Sequence, residues 1–89
     1  VPFHNEIEYA RRVAAAGKSD LLVQRAIRGV THCDFTPAEL STAFLDLVSW
    51  VETGVKPGGD DDLDPGVVAQ PNFGCAFTDG YHLLATTCR

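Results

Sequence analysis

The chain of 89 residues lacks the features that mark several classes of protein. It has no apolar run long enough to cross a membrane, so no membrane span is expected, and any targeting segment would lie upstream of Val1. Its 7 Lys and Arg residues are outnumbered by 12 Asp and Glu residues, and no basic patch is interleaved with aromatics. Nucleic-acid binding is therefore disfavoured, because neutralising phosphates requires clustered basic side chains.

The usual motifs for a zinc site and for a nucleophilic serine are also missing. The sequence has no C-x-x-C pair, which disfavours a structural zinc site, and no G-x-S-x-G serine elbow. We expect no metal ion and no cofactor. The 3 cysteines allow one disulfide and leave one thiol over, and the sequence alone leaves open which two of them pair.

Two segments in the first half of the chain have different sequence patterns, one typical of a helix and one typical of a strand. A first helix is predicted from about Asn5 to Ala16, because Asn5 is a good N-cap, acidic residues occupy the first turn and Gly17 ends the pattern. A strand is predicted from about Leu21 to Ile27, where aliphatic and β-branched residues are interrupted by a few polar ones. This pattern favours a strand near the edge of a mostly buried sheet.

A second helix, Pro37–Thr53, has the strongest signals in the chain. The spacing of Thr36 and Glu39 predicts a capping box, proline fits the first helical position, and Gly54 supplies the stop. Apolar side chains recur along it at helical spacing and predict a buried stripe. The residues expected in the core of the whole chain are Ile7, Val13, Leu22, Val23, Ile27, Leu40, Phe44, Leu47, Val48 and Val51.

The composition changes after this helix. Residues 58–72 form an acidic loop punctuated by Gly and Pro. Aspartates at alternate positions from Asp60 to Asp64 are similar to the start of a calcium loop. However, Pro65 and Pro71 stand where an EF-hand needs a glycine and its bidentate glutamate, so a solvated linker is favoured over a metal site.

The tail, residues 73–89, predicts a β-hairpin that turns at Asp79-Gly80, since this dipeptide favours a tight turn between two apolar runs. Within the tail a Cys75–Cys88 disulfide is the expected pairing, which leaves Cys33 free. Such a disulfide suits a secreted protein, in an extracellular or periplasmic location, although cysteines alone do not fix the compartment.

Helix, strand and helix together make half of a doubly wound α/β unit. A single parallel strand leaves both of its edges unpaired and both of its faces in need of partners. Either the terminal hairpin supplies these partners or most of the sheet lies outside this sequence. We favour the second interpretation, in which residues 1–57 are part of an α/β domain.

His32 is the candidate catalytic residue. It lies on the loop between the predicted strand and the second helix, and α/β enzymes bind ligands outside the carboxyl ends of their strands. A loop histidine that only caps the next helix is the alternative. We expect Asp34 to be solvated or to help cap the helix, and Cys33 to be packed or disulfide-bonded. His4 and His82 have no partners at ligand spacing and are predicted to be surface residues.

Several segments taken together resemble the C-terminal end of bacterial secreted α/β-hydrolases of the esterase and lipase type. They are Val1-Pro2-Phe3, Glu8-Tyr9-Ala10, Leu22-Val23-Gln24-Arg25, the run from Thr31 to Glu39, and the helix end from Leu47 to Gly54. The resemblance covers residues 1–57 and implies an α/β-hydrolase fold in which His32 is the triad histidine. It also implies an acidic triad member just upstream of Val1 and a serine elbow further upstream. The 89 residues would then hold one of three catalytic groups and be inactive alone.

The function implied by this resemblance is that of a serine hydrolase that cleaves carboxylic esters, with amide substrates open on the same scaffold. Its partners would be an ester or amide small molecule and the rest of the hydrolase sheet. A histidine suits this chemistry, since the base must take the serine proton and return it to the leaving group near neutral pH.

The alternative is a small acidic domain, held by a disulfide, with a structural or interaction role and no catalysis. The sequence upstream of Val1 separates the two hypotheses. An Asp just before Val1, with a G-x-S-x-G motif farther upstream, favours the hydrolase, whereas an initiator Met directly before Val1 favours the small domain.

Overall fold

Helices supply the regular secondary structure of this chain in its computed structural model, which describes residues 3–29, 34–80, 82 and 88. In chain order these are helix α1 (Phe3–Ala15), a 3₁₀ turn (Ser19–Leu21), helix α2 (Pro37–Thr53) and the short helix α3 (Pro65–Val68). None of them is long and apolar enough to span a lipid bilayer.

Helix α1 begins two residues before the predicted Asn5 and ends at Ala15, close to the predicted end. Gly17 has a φ of 74°, and its N–H donates to the carbonyl of Ala14 at 3.0 Å. The N–H of Lys18 donates to the carbonyl of Val13, also at 3.0 Å. These two bonds satisfy carbonyls at the end of the helix, with a glycine in the left-handed conformation that its missing Cβ permits.

The predicted strand at Leu21–Ile27 is wrong. Residues 22–29 are irregular and do not pair with a second strand in the described ranges. The N–H of Ala26 donates to Oδ2 of Asp60 at 2.7 Å, and the N–H of Arg28 donates to Oγ1 of Thr78 at 3.0 Å. A bond of 2.8 Å from Asp60 N–H to the carbonyl of Gln24 joins the two backbones. Side chains thus take the N–H groups of Ala26 and Arg28, and no ladder of backbone bonds develops among the described residues.

The predicted fold class is therefore wrong as well. The α/β interpretation, a helix–strand–helix part of an α/β-hydrolase fold with a β-hairpin tail, requires strands, and the described ranges contain none. The expected first arm of the hairpin is a series of turns, in which Phe73 N–H donates to Gln70 and Cys75 N–H to Asn72. Most of the expected second arm lies outside the described residues. The described part of the chain is a small helical structure.

The predicted apolar stripe of α2 exists but is not buried. Leu40, Phe44, Leu47 and Val51 are between 52% and 79% exposed. Within the described ranges no other helix packs against α2. The remaining residues expected in the core are only half-buried: Ile7, Val13, Leu22, Val23, Ile27 and Val48. The buried hydrophobic residue among those described is Ala10, which is not in the expected set.

Polar side chains occupy the interior instead. Glu39, Asp62 and His82 are buried. The acidic loop is therefore not the fully solvated linker that the sequence predicts, since Asp62 lies inside and Asp60 hydrogen-bonds to residues 24 and 26. Buried polar groups need hydrogen-bond or charge partners, and these partners define the candidate site.

Candidate functional site

A buried histidine lies between two carboxylates. Nε2 of His82 is 2.8 Å from both oxygens of Glu39, and Nδ1 is 3.0 Å from Oδ2 of Asp34. The contact with Asp34 is close enough for an ion pair but is poorly aligned for a hydrogen bond. The side chains of His82 and Glu39 are 3% and 1% exposed. The prediction that His82 is a surface residue is therefore wrong.

Helix α2 positions Glu39. The predicted capping box is confirmed, since Oγ1 of Thr36 accepts from the N–H of Glu39 at 3.2 Å and Oε1 of Glu39 accepts from the N–H of Thr36 at 2.8 Å. The other oxygen, Oε2, accepts from the N–H of Asp79 at 2.7 Å. One carboxylate thus caps the helix and binds both the backbone and a side chain of the C-terminal region.

The pKa values in this cluster shift in opposite directions. Burial alone would raise the pKa of Glu39, but the hydrogen bonds from His82 and from the N–H groups of Thr36 and Asp79 outweigh it and lower the pKa. The hydrogen bond to Glu39, followed by the contact with Asp34, raises the pKa of His82 against the opposing effect of burial. The favoured state is an imidazolium held between two carboxylates.

This arrangement decides what His82 can do chemically. A general base needs a ring nitrogen with a free lone pair that faces the reacting proton. Both nitrogens of His82 face carboxylate oxygens, and the raised pKa favours a proton on each. His82 therefore serves as an ionic link between the C-terminal region and the start of α2.

The sequence gives little sign of this cluster. The distance in sequence between His82 and Glu39 is 43 residues, and no short motif spans it. The one available signal is that Glu39 is an N-capping glutamate whose second carboxylate oxygen is not used by the capping box. The expectation that Asp34 is solvated or caps α2 misses its contact with His82.

His32, the candidate catalytic residue, lies outside the described residues, as does Cys33. The residues that flank their loop are Gly29 and Asp34, and these two lie against each other. A Cβ added to Gly29 would stand 2.8 Å from the backbone oxygen of Asp34 and 2.9 Å from its Oδ2. Only glycine fits there without displacement, so the two ends of the loop that carries His32 are held close together beside the His82 cluster.

The remaining sequence predictions near the site have mixed outcomes. His4 is exposed in the first turn of α1, as predicted. The predicted Cys75–Cys88 disulfide is confirmed, with the two Cα atoms 5.4 Å apart. This bond closes a segment that contains His82.

A cavity of about 410 Å³ lies next to Gly29 and Asp34. Both flanking residues, Gly29 and Asp34, contribute to its wall, together with side chains from α1, from residues 23–27 and from the acidic loop. Its carboxylates are those of Glu6, Asp34, Asp60 and Asp62. The cavity is large enough for a small molecule and is strongly acidic.

Two of the three alternating aspartates of the acidic loop accept hydrogen bonds from backbone N–H groups. Oδ2 of Asp60 accepts from Ala26 N–H, and Oδ1 of Asp64 caps α3 by accepting from Gly66 N–H at 2.9 Å. Among the described side chains, no group of three His, Cys, Asp or Glu residues converges in a way that could hold a metal ion.

Comparison of the chain with protein-family models, with curated proteins and with solved structures gives no match.

Proposed function

We propose that this chain supplies the general-base histidine, His32, of a serine hydrolase that cleaves carboxylic esters. The nucleophilic serine and the carboxylate that orients His32 would come from a part of the enzyme outside these 89 residues. The proposal rests on the similarity of residues 31–39 and 47–54 to the C-terminal segment of secreted esterases and lipases, and on the environment of the histidines.

The main support for the proposal is that both ring nitrogens of His82 face carboxylate oxygens. A base in acyl transfer accepts the serine proton and passes it to the leaving group, so one ring nitrogen must be free. His82 offers none, and His4 lies exposed on α1 without a carboxylate partner among the described residues. His32 is the remaining histidine of the chain.

The same geometry removes one potential partner of His32. Asp34 is only two residues away, but its Oδ2 faces Nδ1 of His82 at 3.0 Å. A carboxylate committed to a second imidazolium is a poor orienting group for a catalytic one. The orienting acid of the proposed triad is therefore expected from elsewhere in the enzyme.

The exposed face of α2 is consistent with this role. A stripe of apolar side chains more than half exposed along a capped helix normally packs against other protein. In the proposed enzyme this stripe packs against the remainder of the hydrolase. The Cys75–Cys88 disulfide supports an extracellular or periplasmic location for the protein.

A second candidate function is a small acidic, disulfide-bonded interaction domain without catalysis. The helical structure of the described residues and the disulfide favour it. In that case the stripe of α2 binds another protein, and His32 has no chemical role.

Covalent labelling separates the two candidates. In the full-length protein that carries these residues, a fluorophosphonate probe should label the activated serine of the wild type. His32→Ala should abolish labelling, whereas His4→Ala, the matched exposed histidine, should keep it. No labelling of the wild type, or equal labelling of both variants, would overturn the hydrolase proposal and favour the interaction domain.

A further inference from the structure

The dipeptide Asp79-Gly80 has two properties that make an aspartate chemically reactive. Both residues are exposed, and the backbone nitrogen that follows the aspartate belongs to glycine, which has no side chain to shield it. In the whole sequence Asp79 is the single aspartate followed by glycine, and no asparagine is followed by glycine. The amide nitrogen of such a glycine can attack the aspartate carboxyl group and close a five-membered succinimide ring.

The fold requires glycine at position 80. A Cβ added there would stand 3.0 Å from Cγ2 of Thr36, which is closer than ordinary van der Waals contact. The φ of Gly80 is 94°, a conformation that residues with a side chain rarely adopt. A larger residue that would shield the nitrogen therefore does not fit. The reactive dipeptide is a consequence of how the C-terminal region lies on the first residues of α2.

Two hydrogen bonds hold the backbone on both sides of the Cα atom of Asp79. The N–H of Asp79 donates to Oε2 of Glu39 at 2.7 Å, and its carbonyl accepts from Oγ1 of Thr36, also at 2.7 Å. Because this carbonyl and the nitrogen of Gly80 belong to one planar peptide unit, the Thr36 hydroxyl also fixes the attacking nitrogen. Ring closure draws that nitrogen onto the aspartate side chain and so pulls the peptide unit away from Thr36. The two hydrogen bonds therefore oppose the reaction.

We propose that Asp79 is a site of spontaneous isoaspartate formation, controlled by its backbone hydrogen bonds to Glu39 and Thr36. While both bonds are intact, the dipeptide is protected. When the C-terminal region separates locally from α2, the peptide unit can turn and the succinimide forms. The site is independent of the proposed hydrolase, since it involves neither His32 nor any catalytic step.

The reaction needs no co-reactant other than water. The nitrogen of Gly80 forms a bond to Cγ of Asp79, and the carboxyl hydroxyl leaves as water together with the amide hydrogen. A water molecule then adds to one of the two ring carbonyls. Addition at Cγ restores aspartate, whereas addition at the former main-chain carbonyl gives isoaspartate. In isoaspartate the main chain runs through Cβ and Cγ, and the α-carboxylate is free.

An isoaspartate at position 79 cannot restore the original contacts. The main chain gains one carbon between residues 79 and 80, and the former carbonyl becomes a carboxylate. This carboxylate would lie close to that of Glu39, and two like charges repel each other. His82 follows a few residues later, so its contact with Glu39 is weakened as well. Modification therefore loosens the C-terminal region from the start of α2.

Incubation of the folded chain at neutral pH, with its disulfide intact, tests the proposal. Isoaspartate is quantified with an isoaspartate-specific methyltransferase and located by mass spectrometry of proteolytic peptides. It should accumulate at residue 79, about tenfold or more slowly than in the same chain unfolded in urea, because only the locally opened fraction reacts. Absence of isoaspartate at residue 79 in both states, or equal rates in the two states, would overturn the proposal.

Variants separate the site from its control. Asp79→Glu should abolish the methyltransferase signal, because glutamate would have to close a less favourable six-membered ring. Thr36→Val removes the hydroxyl that donates to the Asp79 carbonyl and should raise the rate about fivefold, the effect of losing one hydrogen bond. Thr36→Ser, which keeps the hydroxyl, and Thr42→Val, at an exposed threonine of α2, should both react like the wild type.

Melting temperatures of the variants ensure that the rates are compared in folded protein. Equal rates in Thr36→Val and Thr42→Val, or a signal that persists in Asp79→Glu, would contradict the proposal. The modified chain, separated by reversed-phase chromatography, should melt at a lower temperature than the unmodified chain. Equal melting temperatures would refute the predicted loosening of the C-terminal region.

Discussion

Nε2 of His82 lies 2.8 Å from both carboxylate oxygens of Glu39, although 43 residues separate the two in sequence. The same glutamate caps helix α2, so the contact joins the C-terminal region to the start of that helix. The buried residues in the described part of the chain are mainly polar. The contact between His82 and Glu39 therefore joins distant segments that an apolar core would normally hold together.

Removal of His82 should destabilise the protein. His82→Ala leaves the carboxylate of Glu39 buried without its cationic partner, which costs more than losing an exposed side chain. His4→Ala, at the exposed histidine of α1, is the matched control. Urea unfolding with the disulfide intact measures both variants. Equal free energies of unfolding would show that the His82 link does not support the fold.

Stability should depend on pH through the same pair. The raised pKa of His82 gives a contribution that is complete below its ordinary value of 6.5 and is lost as the pH rises through the raised value. The lowered pKa of Glu39 gives a contribution that is present above its ordinary value of 4.5 and is lost as the pH falls through the lowered value. The pair therefore stabilises most between these ordinary values.

Urea unfolding at pH values from below 4.5 to above 6.5 checks the expectation, with His82→Gln as the comparison. The difference in unfolding free energy between wild type and variant should shrink on the alkaline side. A difference that stays constant from acidic to alkaline pH would mean that the ionised pair contributes nothing.

Asp62 should behave in the opposite way, because it is a buried carboxylate without a hydrogen-bond partner for Oδ2 in the described part of the chain. Its raised pKa gives stability that is present below the ordinary value of 3.8 and is lost as the pH rises through the raised value. At neutral pH, Asp62→Asn should raise the free energy of unfolding by about 1 kcal/mol, since it removes an unpaired buried charge. Asp20→Asn, on an exposed residue, should change it little. A destabilised Asp62→Asn would refute this account of Asp62.

Gly29 should tolerate no side chain. Gly29→Ala places a Cβ 2.8 Å from a backbone oxygen of Asp34, and the resulting overpacking should cost about 1–3 kcal/mol. Gly58→Ala is the control, because its nearest neighbour would be an aromatic carbon of Phe77 at 3.9 Å, an ordinary contact. Thermal melts of the two variants measure the difference, and equal melting temperatures would argue against the close approach of Gly29 and Asp34.

The sequence predicts the features that depend on near neighbours. The capping box of Thr36 and Glu39 needs three residues of spacing, and the stop of α1 at Gly17 needs one residue with a positive φ. The Cys75–Cys88 bond joins residues 13 apart and is also predicted. Each of these follows from local geometry, so the correct residue types at short spacing are sufficient.

Features that depend on distant partners are not predicted. The aliphatic run from Leu21 to Ile27 has the composition of a strand, but a strand exists only where a second one supplies the ladder. Here the N–H of Ala26 donates to the side chain of Asp60 and that of Arg28 to the side chain of Thr78. The sequence likewise does not predict the contact between His82 and Glu39, because the two residues are 43 positions apart. The candidate site therefore becomes apparent only when the three-dimensional arrangement is known.

We propose that His32 is the catalytic histidine and that His82 has a structural role. The most direct measurement is the kcat for a small chromogenic ester, together with the melting temperature, of His32→Ala and His82→Gln in the full-length protein. His32→Ala should lower kcat by about 10⁴-fold or more and keep the melting temperature. His82→Gln should lower the melting temperature and keep kcat at temperatures where the variant is folded. A retained kcat in His32→Ala, or a lost kcat in folded His82→Gln, would contradict these roles of the two histidines.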